Sequence, residues 1–238
     1  FTLFPTLTSF FNCCYEILNP ECVANFEIPH LLDLATGRQF DTIYHVPFSY
    51  LSLISVNEIF KNNGLTIFDV EKIPVHGGSL RYYAQKSDTG RRFISKRVNA
   101  LLQEERDAGL TNLDFYSNFQ KVAENIRDEC KNFLSEQKNN GKRIAGYGAA
   151  AKGNTLLNFC NISKTLLQFI VDKNPVKQRL YCTGSKIQIL NEKKIREEKQ
   201  DFIVIFTWNI KEEIKEQLHF PKRRGDQLEV DMTKLSIM

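Results

Sequence analysis

One run of residues narrows the choice of fold most. Residues 142–147 (KRIAGY) read as a short buried strand. It leads into Gly146-Tyr147-Gly148-Ala149-Ala150-Ala151-Lys152-Gly153-Asn154, which opens a helix expected over 152–160. A second apolar strand, 166–171, ends at Asp172. Strand, glycine turn, helix, strand and acid in that order match GxGxxG/A, with Ala151 in the third small position. The glycines permit a tight turn and a close approach of backbone to phosphate. The helix start offers unpaired N–H groups and the positive end of a dipole. Lys152 adds a charge that can meet a pyrophosphate, and Asp172 stands where an acidic group hydrogen-bonds a ribose. The bland alternative is that the glycines only let helix and strand pack closely.

The rest of the chain extends this pattern. A third strand is expected at 202–206 and a weaker one at 227–230, with helices at 191–199 and 210–218. Short apolar runs alternating with helices imply a parallel sheet. Upstream, strands are expected at 23–28, 65–71 and 79–84, the last two as antiparallel neighbours, with a helical stretch at 50–62. Residues 91–108 are helical and polar. Residues 112–140 read as one long helix, with Phe115, Phe119, Val122, Ile126 and Phe133 on one face, Thr111 and Asp114 as a capping box, and Gly141 as the stop. This helix is expected to pack between two domains. The fold class is therefore α/β.

Composition excludes several functions. The net charge is +4, and Lys222, Arg223 and Arg224 make the only basic run singled out, so no nucleic-acid partner is expected. Residues 1–18 are apolar, but they hold Pro5, Asn12 and Glu16 and lack a basic leader. They read as a domain helix cut by a fragment boundary, and no membrane partner is expected. Cys13, Cys14, Cys22, Cys130, Cys160 and Cys182 form no CxxC pair, which argues against a metal site here and for buried, reduced thiols in a cytoplasmic protein.

A family resemblance enters at residues 41–83. Asp41-Thr42-Ile43-Tyr44-His45, Phe48-Ser49-Tyr50-Leu51-Ser52-Leu53, Gly64-Leu65, Phe68-Asp69-Val70-Glu71 and His76-Gly77-Gly78-Ser79-Leu80-Arg81 resemble the SAM-dependent C-methyltransferases that act on nucleotide-linked 4-keto-6-deoxy sugars. Gly148 through Asn158, Val171-Asp172-Lys173-Asn174-Pro175 and Trp208-Asn209 resemble the same family's C-terminal domain. The resemblance covers nearly the whole chain and implies three parts: a zinc-binding N-terminal domain, a SAM-binding middle domain, and a Rossmann-like C-terminal domain that helps to hold the sugar nucleotide. It places residues 1–88 at the end of the SAM domain, 89–140 in a helical linker and 141–238 in the C-terminal domain. Residues 23–28, 65–71 and 79–84 become the fifth, sixth and seventh strands of a class I methyltransferase sheet. The family's acidic-x-Gly-x-Gly-x-Gly loop and zinc cysteine cluster do not occur in these 238 residues. Zinc is therefore expected only with that first domain, and SAM as cofactor by resemblance.

The resemblance also implies a chemistry. A proton leaves the carbon beside a ketone, and the enolate attacks the methyl group of SAM. The family's Tyr-His-Glu-His-Phe stretch corresponds to Tyr44-His45-Val46-Pro47-Phe48. Tyr44 and His45 match. Val46 and Pro47 stand where the family has its glutamate and its histidine base, and neither can exchange protons. The catalytic candidates are Tyr44, which could polarise the ketone, His45 and His76. Each has an ordinary structural alternative, respectively a buried aromatic, an outer hydrogen-bonding histidine and a turn residue. Gly146, Gly148, Lys152, Gly153, Asn154 and Asp172 are the candidate substrate-binding set. His30 and His219 are read as structural, and Trp208 as a packing residue near a strand end. The leading function is a SAM-dependent sugar C-methyltransferase, fragmentary or catalytically impaired as this chain. The alternatives are a non-catalytic nucleotide-sugar-binding module and an NAD-dependent oxidoreductase.

Overall fold

The computed structural model describes residues 6–45, 47–218, 228–231 and 236–237. Residues 1–5, Val46, His219, Lys222, Arg223, Arg224 and position 227 of the expected last strand lie outside them. The chain divides into two compact units, Phe1–Gln39 with His45–Gln120, and Phe40–Tyr44 with Lys121–Met238.

The N-terminal unit runs α1 (Leu7–Ile17), β1 (Ala24–Pro29), α2 (Leu31–Thr36), α3 (Leu53–Asn62), β2 (Leu65–Ile73), β3 (Ser79–Lys86), α4 (Lys96–Asp107) and α5 (Leu113–Ser117). Its sheet has the order β1-β3-β2, with β3 antiparallel to both neighbours. The expected fifth, sixth and seventh strands thus lie in the order fifth, seventh, sixth. The apolar opening segment is helix α1, and its Phe11 is fully buried against Phe60, at 4.5 Å between ring centroids, and Phe26, at 5.6 Å. Helix α3 begins where Ser52 accepts a hydrogen bond from the Ser55 amide at 3.1 Å. Among the described residues, no helix is long and apolar enough to cross a membrane.

Two sequence expectations need correction here. The segment 112–140 is two helices, α5 and α6 (Phe119–Asn139), separated at Asn118. The N-cap of α5 is Asn112, and no side chain caps that end, so Thr111 and Asp114 do not form a capping box. The thiols also differ from expectation: Cys130, Cys160 and Cys182 are buried, whereas Cys13 and Cys22 are exposed.

A charged triad with two fully buried members, His30 and Glu105, ties this unit together. His30 is fully buried. Its Nδ1 lies 2.9 Å from Asp33 Oδ2 and its Nε2 lies 2.9 Å from Glu105 Oε1. Two carboxylate partners call for two ring N–H donors, which is the imidazolium form. Burial disfavours that charge, but the hydrogen bonds to Asp33 and Glu105 outweigh it and raise the histidine above its ordinary value. Glu105, also fully buried, accepts from the first amides of α3, Leu53 at 2.6 Å and Ile54 at 2.8 Å. The buried Tyr82 hydroxyl and the more distant Lys72, which attracts Asp33, complete the polar surroundings. Because the folded value of His30 is raised, its contribution is complete below the unfolded imidazole value of about 6.5 and is lost as pH rises through the folded one. Urea midpoints of the N-terminal unit should therefore fall as pH rises above about 6.5. A flat profile would show that folding leaves His30 at its unfolded value, and a stability that rises with pH would show that it is neutral when folded.

The C-terminal unit continues from α6 with β4 (Ile144–Tyr147), α7 (Ala151–Phe159), β5 (Phe169–Val171), β6 (Gln188–Leu190), α8 (Lys193–Glu197), β7 (Phe202–Ile205), α9 (Lys211–Leu218), β8 (Leu228–Asp231) and β9 (Ser236–Ile237). The sheet order is β6-β5-β4-β7-β8-β9. The first five strands are parallel and β9 is antiparallel. All four residues of β4 and of β7 are buried, as continuous apolar strands covered on both faces require. Helix α6 packs its Phe133 edge-on to Phe202 of β7, with ring centroids 5.4 Å apart.

Candidate functional site

The strand order places the site. From β4 the chain moves outward to β5 and β6, then returns to β7 on the other side of β4. Connections that leave neighbouring strands in opposite directions open a crevice beyond their C-terminal ends, here between β4 and β7. The glycine segment after β4 and residues Thr207, Trp208 and Asn209 after β7 form its two lips.

The three small positions play different parts. Gly146 lies inside β4, within the strand expected at 142–147 and before the turn proper. A Cβ there would meet Phe206 Cε2 at 2.6 Å and Ile170 Cγ1 at 2.8 Å, so close packing explains this glycine. Gly148 has φ +90°, and a Cβ would meet Thr207 Oγ1 at 2.7 Å. This position needs glycine for both conformation and space. Gly153, in the first turn of α7, lets the helix approach Phe206, whose Cβ would lie 2.9 Å from an added methyl.

Much of the loop is already bonded. The Gly148 amide donates to Val171 O at 2.8 Å, the Ala149 amide to Asp172 Oδ2 at 2.8 Å, and the Ala150 amide to Gly148 O at 2.9 Å. Asp172 Oδ1 accepts from the Asn174 amide at 2.8 Å, and Lys177 Nζ reaches both Ala149 O, at 2.9 Å, and Asp172 Oδ2, at 3.4 Å. The carboxylate of Asp172 therefore braces the loop, and a ribose would have to displace that bracing. Intrahelical bonding resumes where Asn154 N donates to Ala150 O at 3.1 Å. The amides of residues 151–153 are the ones a helix start leaves to a ligand.

Side chains supply the charge and polarity. The ammonium of Lys152 lies 4.5 Å from the centroid of the Trp208 ring and donates to Asn209 Oδ1. Burial lowers Lys152 from its ordinary value, and the nearby Asp41 opposes that shift. The Trp208 Nε1–H donates to Asp41 Oδ2 at 2.8 Å. Asn154 Oδ1 and Thr207 Oγ1 are buried and accept no hydrogen bond in the structure. Unpaired polar atoms in a crevice are expected where a polar ligand completes the set.

Of the residues expected from sequence, Gly148, Lys152, Gly153, Asn154 and Asp172 gather at this end of the sheet. The catalytic candidates divide between the units: Tyr44 is half-buried in the C-terminal unit, while His45 and His76 are exposed in the N-terminal one. His76 occupies a left-handed turn position, φ 55°, before Gly77 and Gly78. Sequence reasoning missed Asp41 and Thr207 as members of this group and read Trp208 as a packing residue near the strand end, where ligands in such sheets tend to lie. The signal for Thr207 was position, since 207–209 directly follow an expected strand, and Asp41 stood at the head of the family-like run 41–45 without a role of its own.

The sheet order defines a Rossmann-like α/β domain. Comparison with known proteins then gives the family. Residues 74–231 match the C-methyltransferase C-terminal domain, and the chain belongs to that family. It is also similar to the C-methyltransferase NovU of Streptomyces niveus, with 31% identity over 214 residues, 90% of this chain and 51% of that protein. The chain thus spans about half the length of this curated relative.

Proposed function

We propose that this chain supplies the nucleotide-sugar-binding part of a SAM-dependent C-methyltransferase acting on a nucleotide-linked keto-deoxysugar. The observation that carries this reading is the cluster at the C-terminal ends of β4 and β7, where Lys152, two unpaired oxygens and the start of α7 converge. Lys152 would meet a diphosphate oxygen, with the first amides of α7 beside it, while the Asn154 and Thr207 oxygens, closed off from solvent, would accept from a ligand only once the two loops part. The substrate class follows from the family and from the resemblance at residues 41–83. SAM would supply the methyl group.

Within this reading Tyr44 is the candidate to polarise the sugar ketone, and His45 and His76 are the candidate imidazoles for proton transfer. Val46 and Pro47 occupy the family's acid and base positions, so the chain alone is expected to bind substrate without methylating it. The bonding of Asp172 to Ala149 and Lys177 disfavours a dinucleotide ligand. Zinc has no part in the chemistry proposed for these residues, and the reading includes neither a nucleic-acid nor a membrane partner. A cytoplasmic setting suits a soluble sugar nucleotide.

Calorimetry tests the proposal. A thymidine-diphosphate 4-keto-6-deoxy sugar should bind saturably, and NAD should not. NAD binding without sugar-nucleotide binding would replace this reading with the oxidoreductase one. Failure of both to bind would remove the ligand function altogether.

A further inference from the structure

The five residues Phe40–Tyr44 belong to the C-terminal unit, although the chain on both sides of them belongs to the other. Among the contacts that hold this strap, two bear on the site. The buried Phe40 ring packs on Phe159 of α7, at 5.1 Å between centroids, and Asp41, 1% exposed, accepts the Trp208 indole N–H. A carboxylate that deeply buried is costly unless paired, so an apolar residue would anchor the strap as well if anchoring were its only task. The Ile43 amide then donates to Phe40 O at 2.9 Å, closing the turn that leads to Tyr44.

The same indole serves two neighbours. Its edge holds Asp41, and its face carries the Lys152 ammonium at 4.5 Å. Asp41 and Lys152 also attract each other directly. A phosphate that engages Lys152 draws the ammonium's charge away from both the ring and the carboxylate. The strength of the Asp41–Trp208 bond, and with it the setting of the turn, then depends on whether the crevice is filled.

We propose that Trp208 and Asp41 are positioning residues that couple occupancy of the Lys152 crevice to the placement of Tyr44. The proposal rests on the nucleotide-sugar reading above. It gives the enzyme a means of setting the ketone-facing tyrosine only when the nucleotide is seated.

Hydrogen exchange of the Ile43 amide, with thymidine diphosphate as the probe, tests it. Calorimetry fixes saturation separately for each variant. In the wild-type chain, saturation should change the Ile43 exchange rate by about tenfold, a local rather than a global effect. Trp208→Phe keeps an aromatic face and loses the N–H, and Asp41→Ala loses the acceptor. Both should bind the probe with an unresponsive Ile43. Asp41→Asn retains an oxygen acceptor and should restore the response. Trp208 is the sole tryptophan of the chain, so its emission should also change on binding in the wild type. A wild-type chain that binds the probe with no change at Ile43, or a Trp208→Phe chain that responds fully, overturns the coupling. Absence of binding by the wild type overturns the ligand reading first, and the coupling with it. A misfolded Trp208→Phe leaves the decision to the Asp41 pair.

Discussion

Replacing Glu105 by alanine is expected to destabilise the N-terminal unit by about 3–5 kcal/mol, the range for breaking a buried ion pair from one side. Three groups lose a partner together: His30 Nε2 and the amides of Leu53 and Ile54. An alanine cannot accept from any of them, and water does not reach a position with no solvent exposure. His30 can soften the loss by shedding its proton and keeping Asp33 alone. The variant should therefore also lose most of the pH dependence predicted for the wild type. Glu105→Gln keeps one oxygen acceptor for the helix start and should fall between the two. Urea unfolding followed by circular dichroism, with exchange at the Leu53 and Ile54 amides, measures this. Tryptophan emission does not serve here, because Trp208 lies in the other unit. A loss below about 1 kcal/mol, the level of an exposed pair, would mean that the triad is not charged as described.

Lys152→Ala should weaken sugar-nucleotide binding by about 10- to 100-fold, since a hydrogen bond to a charged group contributes roughly 1.5–3 kcal/mol. Part of the attraction is offset, because binding draws the ammonium from Trp208 and Asn209. The partial burial that lowers Lys152 also strengthens its field toward an incoming phosphate. Wild-type affinity should fall as salt is added, and the variant's should fall less steeply. Equal affinities for the two proteins would move the ligand away from this end of the sheet. An alternative in which Lys152 only supports packing would instead show up as lower stability at unchanged affinity.

The strands were legible wherever they were long. Residues 65–71 and 79–84 alternate well enough to reveal β2 and β3 and their antiparallel pairing. Strand β6 has three residues and gave no periodic signal. Its identity depends on pairing with β5 and on the hairpin in which Arg179 N donates to Ile189 O and Cys182 N to Ile187 O. The break at Asn118 was hidden for the opposite reason. The apolar spacing from Phe115 to Phe133 continues through it, and nothing in that spacing separates one helix from two consecutive ones. His30 was read as structural, and it is, but its partner Glu105 lies 75 positions away.

The residues between 142 and 172 determined by themselves that a strand, a glycine turn, a helix and a second strand would follow one another, because helix starts, left-handed turns and short apolar runs are local properties of the backbone. What that segment could not determine was the second lip of the crevice. Trp208 and Asp41 are 167 positions apart and meet only because β7 lies beside β4 and residues 40–44 lie against α7. Which loop amides remain available was likewise decided by Asp172 and Lys177 arriving from the end of β5. Strand order is a property of how whole strands bury their faces against one another, so it becomes readable only when the chain is folded.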